Sequence, residues 1–361
     1  MSTIDGLAPD YPTARRRFLD AVQAAGADVD HHPFPETGPD HEELATDVAW
    51  FGPDDARDVV VVVSGTHGVE GYAGSMCQSR WLASHGDDPR ADGVALVFVH
   101  AFNPYGFAWV RRVNEDNVDL NRNFCDLAEP PANRGYDELA DALAPAEWTE
   151  ASQQASGDAI LAYAVEHGMD AVQAVVSGGQ YGHPDGLFYG GSVAARSQEV
   201  MREVLTTRVA GAKRVVLMDL HTGLGERGEV EIITEELPDS DGYERAVSWF
   251  GDRVASNHAG ESVSAELNGE WMAAATAWLG PAEVTAVALE WGTVDSITVL
   301  QALRADNWLH NHGDPKGPDA PAIKADLRAA FAPDDPEWAD TVYSCFEEAM
   351  ANALTAVAKP A

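Results

Sequence analysis

The stretch "DVVVVVSGTHGVE", residues 58–70, joins an unbroken apolar run to a histidine and a glutamate. Runs without polar alternation are typical of strands that are buried on both faces, as in a mainly parallel sheet covered by helices. The sequence therefore predicts an α/β fold. Three further runs of this kind occur: "GVALVFVHAFNP" (93–104), "KRVVLMDLHTG" (213–223) and "VTAVALEWGT" (284–293).

Helix-like stretches separate these runs and can supply the crossover connections that parallel strands require. We therefore expect three layers, α/β/α, around a mainly parallel mixed sheet. The predicted helices are "GYAGSMCQSRWLASH" (71–85), "GDAILAYAVEHGM" (157–169) and "SVAARSQEVMREVLTTRV" (192–209).

The first 50 residues have a different pattern, and we interpret them as an N-terminal segment that packs on a main domain of residues 51–361. Within the segment, residues 14–26 predict an amphipathic helix and "HHPFPETGPDHEEL" (31–44) predicts an acidic, proline-rich connector. We expect His31, His32 and His41 to be solvated rather than metal ligands. Residues 126–150 predict a surface excursion.

The formal net charge of -36 in 361 residues excludes nucleic acid as an expected partner, because an acidic surface repels phosphate. It reflects either adaptation to high salt or a GC-rich genome. The three widely separated cysteines indicate neither a disulfide framework nor a cysteine-rich metal site. Any metal must therefore be held by histidine and carboxylate.

No apolar run approaches the ~18 residues that a membrane-spanning helix needs. The N-terminus also lacks the continuous apolar region of a secretory signal. We expect a cytoplasmic protein without a membrane partner; the oligomeric state is left open.

Chemically useful side chains follow all four apolar runs. His67 and Glu70 follow the first, Asn103 the second and His221 the third, and Glu290 ends the fourth. Ligands of open α/β sheets bind beyond the carboxyl ends of the strands. Two histidines and a carboxylate are the ligands of many catalytic zinc sites. A single buried histidine at a strand end is more often structural, but the combination predicts a metal site.

The stretch "DLNRNF", residues 119–124, brings Asp119, Asn121 and Arg122 together, and Arg111 or Arg112 lies upstream. The planar guanidinium fork suits a substrate carboxylate or a developing oxyanion. The alternative is that these arginines pair with acidic groups of the protein itself.

The order HxxE, NP-x-G, an arginine, D-x-NRN-aromatic, a strand-terminal DLH and a strand-terminal glutamate resembles the M14-type zinc carboxypeptidases and their aspartoacylase relatives. Nearly the whole chain is similar to the bacterial DUF2817, M14-like metallopeptidase family, on the stretches "DYPTARRRF", "SGTHGVEGYAGS", "SGGQYGHPDGLFYGG", "LMDLHTGLGERG", "ALEWGT" and "ALRADNWLH". The resemblance implies the zinc-carboxypeptidase (phosphorylase/hydrolase-like) fold and one Zn²⁺ per chain.

The resemblance also implies a role for each matching residue. His67, Glu70 and His221 match the zinc ligands, and Glu290 matches the general base that activates water. Asn121 and Arg122 match the pair that binds a substrate carboxylate, and Asp119 matches a carboxylate that orients a ligand histidine. Arg112 matches the arginine that polarises the scissile carbonyl, with Arg111 as the fallback. No tyrosine is assigned, although Tyr181, Tyr189 and Tyr243 are candidates.

The expected function is zinc-dependent hydrolysis of an amide bond next to a free carboxylate, as in a metallocarboxypeptidase acting on small peptides. An N-acyl amino acid deacylase is the alternative, and the loop of residues 176–192 could restrict the site to it. A non-catalytic zinc-binding module is a remote third reading. A serine hydrolase is disfavoured because Ser192 lacks the G-x-S-x-G pattern.

Overall fold

The computed structural model describes residues 6–85, 93–260, 262–264 and 267–358. Within these residues, eight strands form one sheet. The strands are β1 (Asp28–Thr37), β2 (Glu43–Phe51), β3 (Asp58–Ser64), β4 (Val94–His100), β5 (Arg214–Arg227), β6 (Val230–Thr234), β7 (Val254–Ser256) and β8 (Glu283–Gly292).

Helices cover both faces of the sheet. They are α1 (Tyr11–Ala24), α2 (Gly71–His85), α3 (Pro104–Ala108), α4 (Arg134–Leu143), α5 (Glu150–His167), α6 (Met169–Ser177), α7 (Arg196–Thr207), α8 (Asp241–Phe250), α9 (Trp271–Trp278), α10 (Ser296–Asn311), α11 (Ala320–Phe331) and α12 (Pro336–Val357). In the described part of the chain, no helix is long and apolar enough to cross a membrane.

The valine run of β3 explains the three layers. Successive side chains of a strand point to opposite faces. Val60 and Val62 pack with α1, α2, α8 and α12 in one core, whereas the other three valines pack with α7 and α9 in a second core. Every valine of the run is fully buried. The predicted three-layer α/β fold is confirmed.

The strand order is β1-β2-β4-β3-β5-β8-β6-β7. The central pairs β4–β3, β3–β5 and β5–β8 are parallel, as is the pair of β6 and β7. The pairs β1–β2, β2–β4 and β6–β8 are antiparallel. The sheet is therefore mixed, and β3, β5 and β8 end at the same edge.

The prediction that residues 31–44 form a connector is wrong for most of that stretch, because residues 28–37 form β1 and pair with β2. Pro33 and Pro35 are tolerated because β1 is an edge strand, where a missing N–H removes no bond to a further strand. His31 lies in this strand and contacts Asp47, with 2.6 Å between Nδ1 and Oδ1. The predicted surface excursion contains α4. The division at residue 50 stays a prediction, and residues 1–5 lie outside the described part.

Candidate metal centre

The first two site residues lie on the turn between β3 and α2. His67 precedes a single 3-10 turn, Gly68–Glu70, which leads directly into α2. Gly68 permits a very close approach of the chain to α3, because a Cβ atom there would lie 2.0 Å from the carbonyl carbon of Gly106. This tight turn returns the Glu70 side chain toward His67.

His221 lies in β5, where its register partner on the parallel strand β8 is Glu290. Since β3 is the other neighbour of β5, the turn after β3 brings His67 and Glu70 to His221. One ligand atom from each of His67, Glu70 and His221 lies within 4.8 Å of the others. All three side chains are buried.

The carboxylate of Glu70 lies between the two imidazoles. Its Oε1 is 2.9 Å from His67 Nδ1, and its Oε2 is 2.9 Å from His221 Nδ1. Oε2 also accepts a hydrogen bond from the Thr222 N–H at 3.0 Å. Burial alone would raise the pKa of Glu70, but the two histidines hold that pKa well below its usual range.

A second carboxylate contacts the far nitrogen of each imidazole. Asp119 Oδ1 is 3.1 Å from His67 Nε2, and Asp219 Oδ2 is 2.6 Å from His221 Nε2. An acceptor at Nε2 fixes the neutral ring with its proton there and leaves the Nδ1 lone pair for a metal. The sequence motif predicts this role for Asp119, whereas Asp219 was not predicted. The signal was present, because residues two apart in a strand share a face.

These residues fit a divalent cation. His67 Nδ1 is buried and has no hydrogen-bond partner, although a carboxylate oxygen lies 2.9 Å away. Burial alone would lower the pKa of His221, but Asp219 and Glu70 raise it well above its usual value. The negative charge of Asp219 and Glu70 also attracts a metal ion. Two imidazole nitrogens and a carboxylate are donors that suit Zn²⁺. This set can therefore hold a metal.

The two arginines that the sequence left open differ in position. Arg112 lines the cavity at the metal centre, where its Nη1 donates to Glu70 at 3.2 Å and its Nε donates to Asp119 at 2.9 Å. Arg111 instead donates from Nε to Asp306 at 3.0 Å, away from that cavity. Of the two arginines, Arg112 therefore lies at the metal centre.

Arg122 is buried, and three of its N–H donors bind the backbone. Nε and Nη2 donate to the carbonyl of Ser177 at 3.0 and 2.6 Å, and Nη1 donates to the carbonyl of Asn121 at 2.9 Å. A guanidinium has five donors, so one N–H on each terminal nitrogen is left over. Burial lowers the pKa of Arg122. Asn121 Oδ1 is buried without a hydrogen-bond partner, and both side chains line the cavity.

Glu290 reaches the same cavity from the end of β8, and its Oε1 accepts a hydrogen bond from the Leu224 N–H at 3.0 Å. Burial and the nearby charge of Glu70 raise its pKa to about 8. A carboxyl group with a pKa near neutrality is suited to accept and return a proton. Asn103, the fourth strand-end residue, instead caps α3 and donates to the Arg112 carbonyl at 3.2 Å.

The cavity has a volume of about 110 Å³. Ser177 and Phe188 of the loop 176–192 line it, as the sequence analysis anticipated for that loop. The described lining includes none of the tyrosines Tyr181, Tyr189 and Tyr243. Two carboxylates that sequence reasoning did not identify, Glu235 and Glu270, also line it.

Comparison with known proteins gives a family and a fold. The model of the family described as "Protein of unknown function (DUF2817)" matches residues 7–345. No curated protein sequence matches the chain. The structure of bovine thrombin-activatable fibrinolysis inhibitor, in complex with tick carboxypeptidase inhibitor, covers 99% of this chain and 99% of its own, with 11% sequence identity and a TM-score of 0.55. The likeness is one of fold.

Two further solved structures share less of the geometry. Carboxypeptidase A from Helicoverpa armigera has 13% identity and a TM-score of 0.49, covering 91% of this chain and 75% of its own. Succinylglutamate desuccinylase from Chromobacterium violaceum has 15% identity and a TM-score of 0.38, covering 86% and 76%.

Proposed function

The chain belongs to the DUF2817 family, and from that premise we propose that it is a zinc-dependent hydrolase that cleaves an amide bond next to a free carboxylate. A single observation carries the proposal. One cavity is lined by the metal-binding set of His67, Glu70 and His221, by the carboxyl group of Glu290, and by two guanidinium groups, one buried and one partly exposed.

His67, Glu70 and His221 would hold the ion. Bound Zn²⁺ supplies Lewis acidity, which polarises a carbonyl and makes water a better nucleophile. Asp119 and Asp219 keep the two imidazoles oriented, because each accepts the Nε2 proton of its histidine.

Glu290 would accept a proton from the attacking water and pass it to the leaving amine. Its elevated pKa, about 8, lets it gain and lose a proton near neutral pH. Arg112 lies beside Glu70 and would stabilise negative charge that develops on the carbonyl oxygen. The proposed mechanism therefore gives the role of contacting the scissile carbonyl to Arg112 and not to Arg111.

Arg122 and Asn121 would bind the substrate carboxylate. The two N–H donors of Arg122 that the backbone does not use can meet two carboxylate oxygens. A buried guanidinium is costly without an anion, and the nearest ion-pair partner of Arg122 is Asp119 at 4.0 Å. The amide next to that carboxylate would then lie at the metal centre.

A metallocarboxypeptidase acting on peptides is the primary reading, and an N-acyl amino acid deacylase is the second. Ser177 and Phe188 form a wall of the cavity that could limit the length of the acyl group. The two activities would use the same catalytic groups. They differ in how much space the site must leave for the acyl part of the substrate.

A panel of N-acyl amino acids and short peptides tests the proposal on zinc-loaded protein. Each substrate is offered with a free and with an amidated C-terminus. We expect kcat/KM to fall by ~100-fold or more on amidation, because a lost charged partner costs ~3 kcal/mol. Equal cleavage of both forms would remove Arg122 from carboxylate binding. Lengthening the acyl side then separates a carboxypeptidase, which tolerates it, from a deacylase, which does not.

A further inference from the structure

Four carboxylates line the cavity, and the proposed function uses two of them. Glu70 belongs to the metal-binding set and Glu290 to proton transfer, which leaves Glu235 and Glu270 without a part in the reaction. A buried carboxylate is costly unless a partner compensates its charge. Glu270 is buried, whereas Glu235 is partly exposed, so Glu270 in particular calls for a ligand or a structural reason.

Glu270 is 5% exposed and is the N-cap residue of α9. Its two oxygens accept hydrogen bonds from the N–H groups of Met272 at 2.8 Å and Ala273 at 2.9 Å. This cap could be made by a shorter Asp or Ser. Each carboxylate oxygen retains a second lone pair, which can accept from a bound group. Burial and the neighbouring charge of Glu235 raise the pKa of Glu270 to about 8, and a cation bound beside the two carboxylates would lower that pKa and favour the ionised form.

Glu235 directly follows β6 and lines the same cavity as Glu270. It accepts a hydrogen bond from Asn257, and the His258 ring lies 3.8 Å from it. Apolar side chains line the cavity with the two carboxylates, namely Ile233, Met272 and Ala288. Apolar walls that end in negative charge suit an amphipathic side chain with an aliphatic stem and a cationic head.

Glu270 lies next to the chain segment that carries Arg122. The preceding residue, Gly269, accepts a hydrogen bond from the Phe124 N–H at 3.0 Å, and a Cβ atom at Gly269 would lie 2.5 Å from the Arg122 carbonyl oxygen. Asn121 Oδ1, also beside Arg122, is a buried acceptor without a hydrogen-bond partner on the same cavity. An N–H donor of a ligand would satisfy it. Anion-binding and cation-binding groups are thus neighbours.

We propose that Glu235 and Glu270 form a cation-binding wall that selects substrates with a basic side chain on the residue that bears the free carboxylate. This inference rests on the proposed function, because it assumes that Arg122 binds that carboxylate. The substrate class is then a peptide or acyl derivative of lysine, arginine or a shorter diamino acid.

Hydrolysis of benzoyl-glycyl-lysine and benzoyl-glycyl-norleucine by zinc-loaded protein tests the proposal, since the two side chains differ chiefly in the terminal charge. We expect kcat/KM to favour lysine by about tenfold or more, the value of one charge-assisted contact. Glu270→Gln should abolish the preference and Glu235→Gln should reduce it. The control Glu203→Gln, which removes a charge from the exposed face of α7, should keep it.

A binding measurement keeps this inference separate from the proposed function. Calorimetry of zinc-loaded protein with free L-lysine and L-norleucine should show tighter binding of lysine even if neither peptide is cleaved. Failure of cleavage with preserved lysine binding would refute the hydrolase alone. Equal binding of the two amino acids, or a lysine preference unchanged in Glu270→Gln, would overturn the cation-binding wall. Glu270→Asp, which retains the charge and a helix cap, should keep part of the preference.

Discussion

Replacement of Asp219 should weaken metal binding although Asp219 is not a ligand. Its Oδ2 is 2.6 Å from His221 Nε2 and accepts from the Trp271 indole at 2.5 Å, while Oδ1 accepts from the Thr66 hydroxyl at 2.8 Å. All four groups are buried. The carboxylate therefore fixes both the orientation and the tautomer of His221.

Two substitutions at Asp219 separate the effect of geometry from that of charge. In Asp219→Asn, the amide oxygen can replace Oδ2 and still accept from His221 and Trp271, whereas the amide nitrogen in place of Oδ1 cannot accept from Thr66. The Thr66 hydroxyl retains its 3.0 Å bond to the remaining oxygen, so the charge is the main loss. In Asp219→Ala, both the acceptor and the charge disappear. Loss of such partners costs about 10- to 100-fold in metal affinity, or about 1.4 to 2.7 kcal/mol. We expect Asn near the lower value and Ala near the upper.

Asp219→Ala should also destabilise the fold, because Thr66 and Trp271 each lose an acceptor in the core. A buried polar group without a partner costs about 1–3 kcal/mol. Zinc affinity is measured by competition with a chromophoric chelator, and stability of the metal-free protein by urea unfolding. The two readouts keep loss of fold apart from loss of the metal.

Asp306→Asn is the matched control, because Asp306 is equally buried but binds Arg111 and Lys324 rather than a histidine of the metal-binding set. It should lower stability and leave zinc affinity unchanged. If folded Asp219→Ala bound zinc within about threefold of the wild type, well below the expected loss of about 10- to 100-fold, the orienting role of Asp219 would be refuted.

Two further predictions concern protons. Glu290→Gln should retain zinc and fold normally, yet lose about 100- to 10,000-fold in kcat, the usual contribution of a general base; wild-type turnover of any cleaved substrate would exclude Glu290 from proton transfer. His100 is buried and stacks on Phe18 at 4.5 Å between ring centroids, and burial lowers its pKa from 6.5 to about 4. Between these values the unfolded state binds the extra proton, so the free energy of unfolding should fall by about 3 kcal/mol as the pH drops from 6.5 to 4. Urea titrations of His100→Gln should show a smaller pH dependence, and an unchanged slope would assign the acid sensitivity to other groups.

The central part of the fold could be predicted because its signals are local. The valine run of residues 59–63 identifies β3, and the apolar residues after Glu70 give α2 with the predicted bounds, residues 71–85. In contrast, β1 contains two prolines, and β7 has only three residues. Neither has a clear strand pattern of its own, and each becomes a strand through pairing, β1 with β2 and β7 with β6.

In the site, too, some residues could be predicted from local sequence signals and others could not. The strand-end rule anticipated that His67, Glu70 and His221 would meet, because β3 and β5 are parallel neighbours. It could not reveal Glu270, which lies before α9 and reaches the cavity through contact of Gly269 with the Arg122 segment. The rule also could not choose between Arg111 and Arg112. The two residues are adjacent in the sequence, but the side chain of Arg111 binds Asp306 and that of Arg112 binds Asp119.

The two edges of the sheet also bear on aggregation. Exposed edge strands can recruit strands of other molecules, and apolar runs such as those of β3, β4 and β5 would be hazardous there. Here those runs are interior. On one edge, Pro33 and Pro35 interrupt β1, and the Arg196 side chain covers the carbonyl of Pro33 with a hydrogen bond of 3.0 Å. On the other edge, β7 is too short to template a partner. Folded molecules should therefore resist intermolecular strand pairing, and partial unfolding that exposes β3 is the route by which aggregates would form.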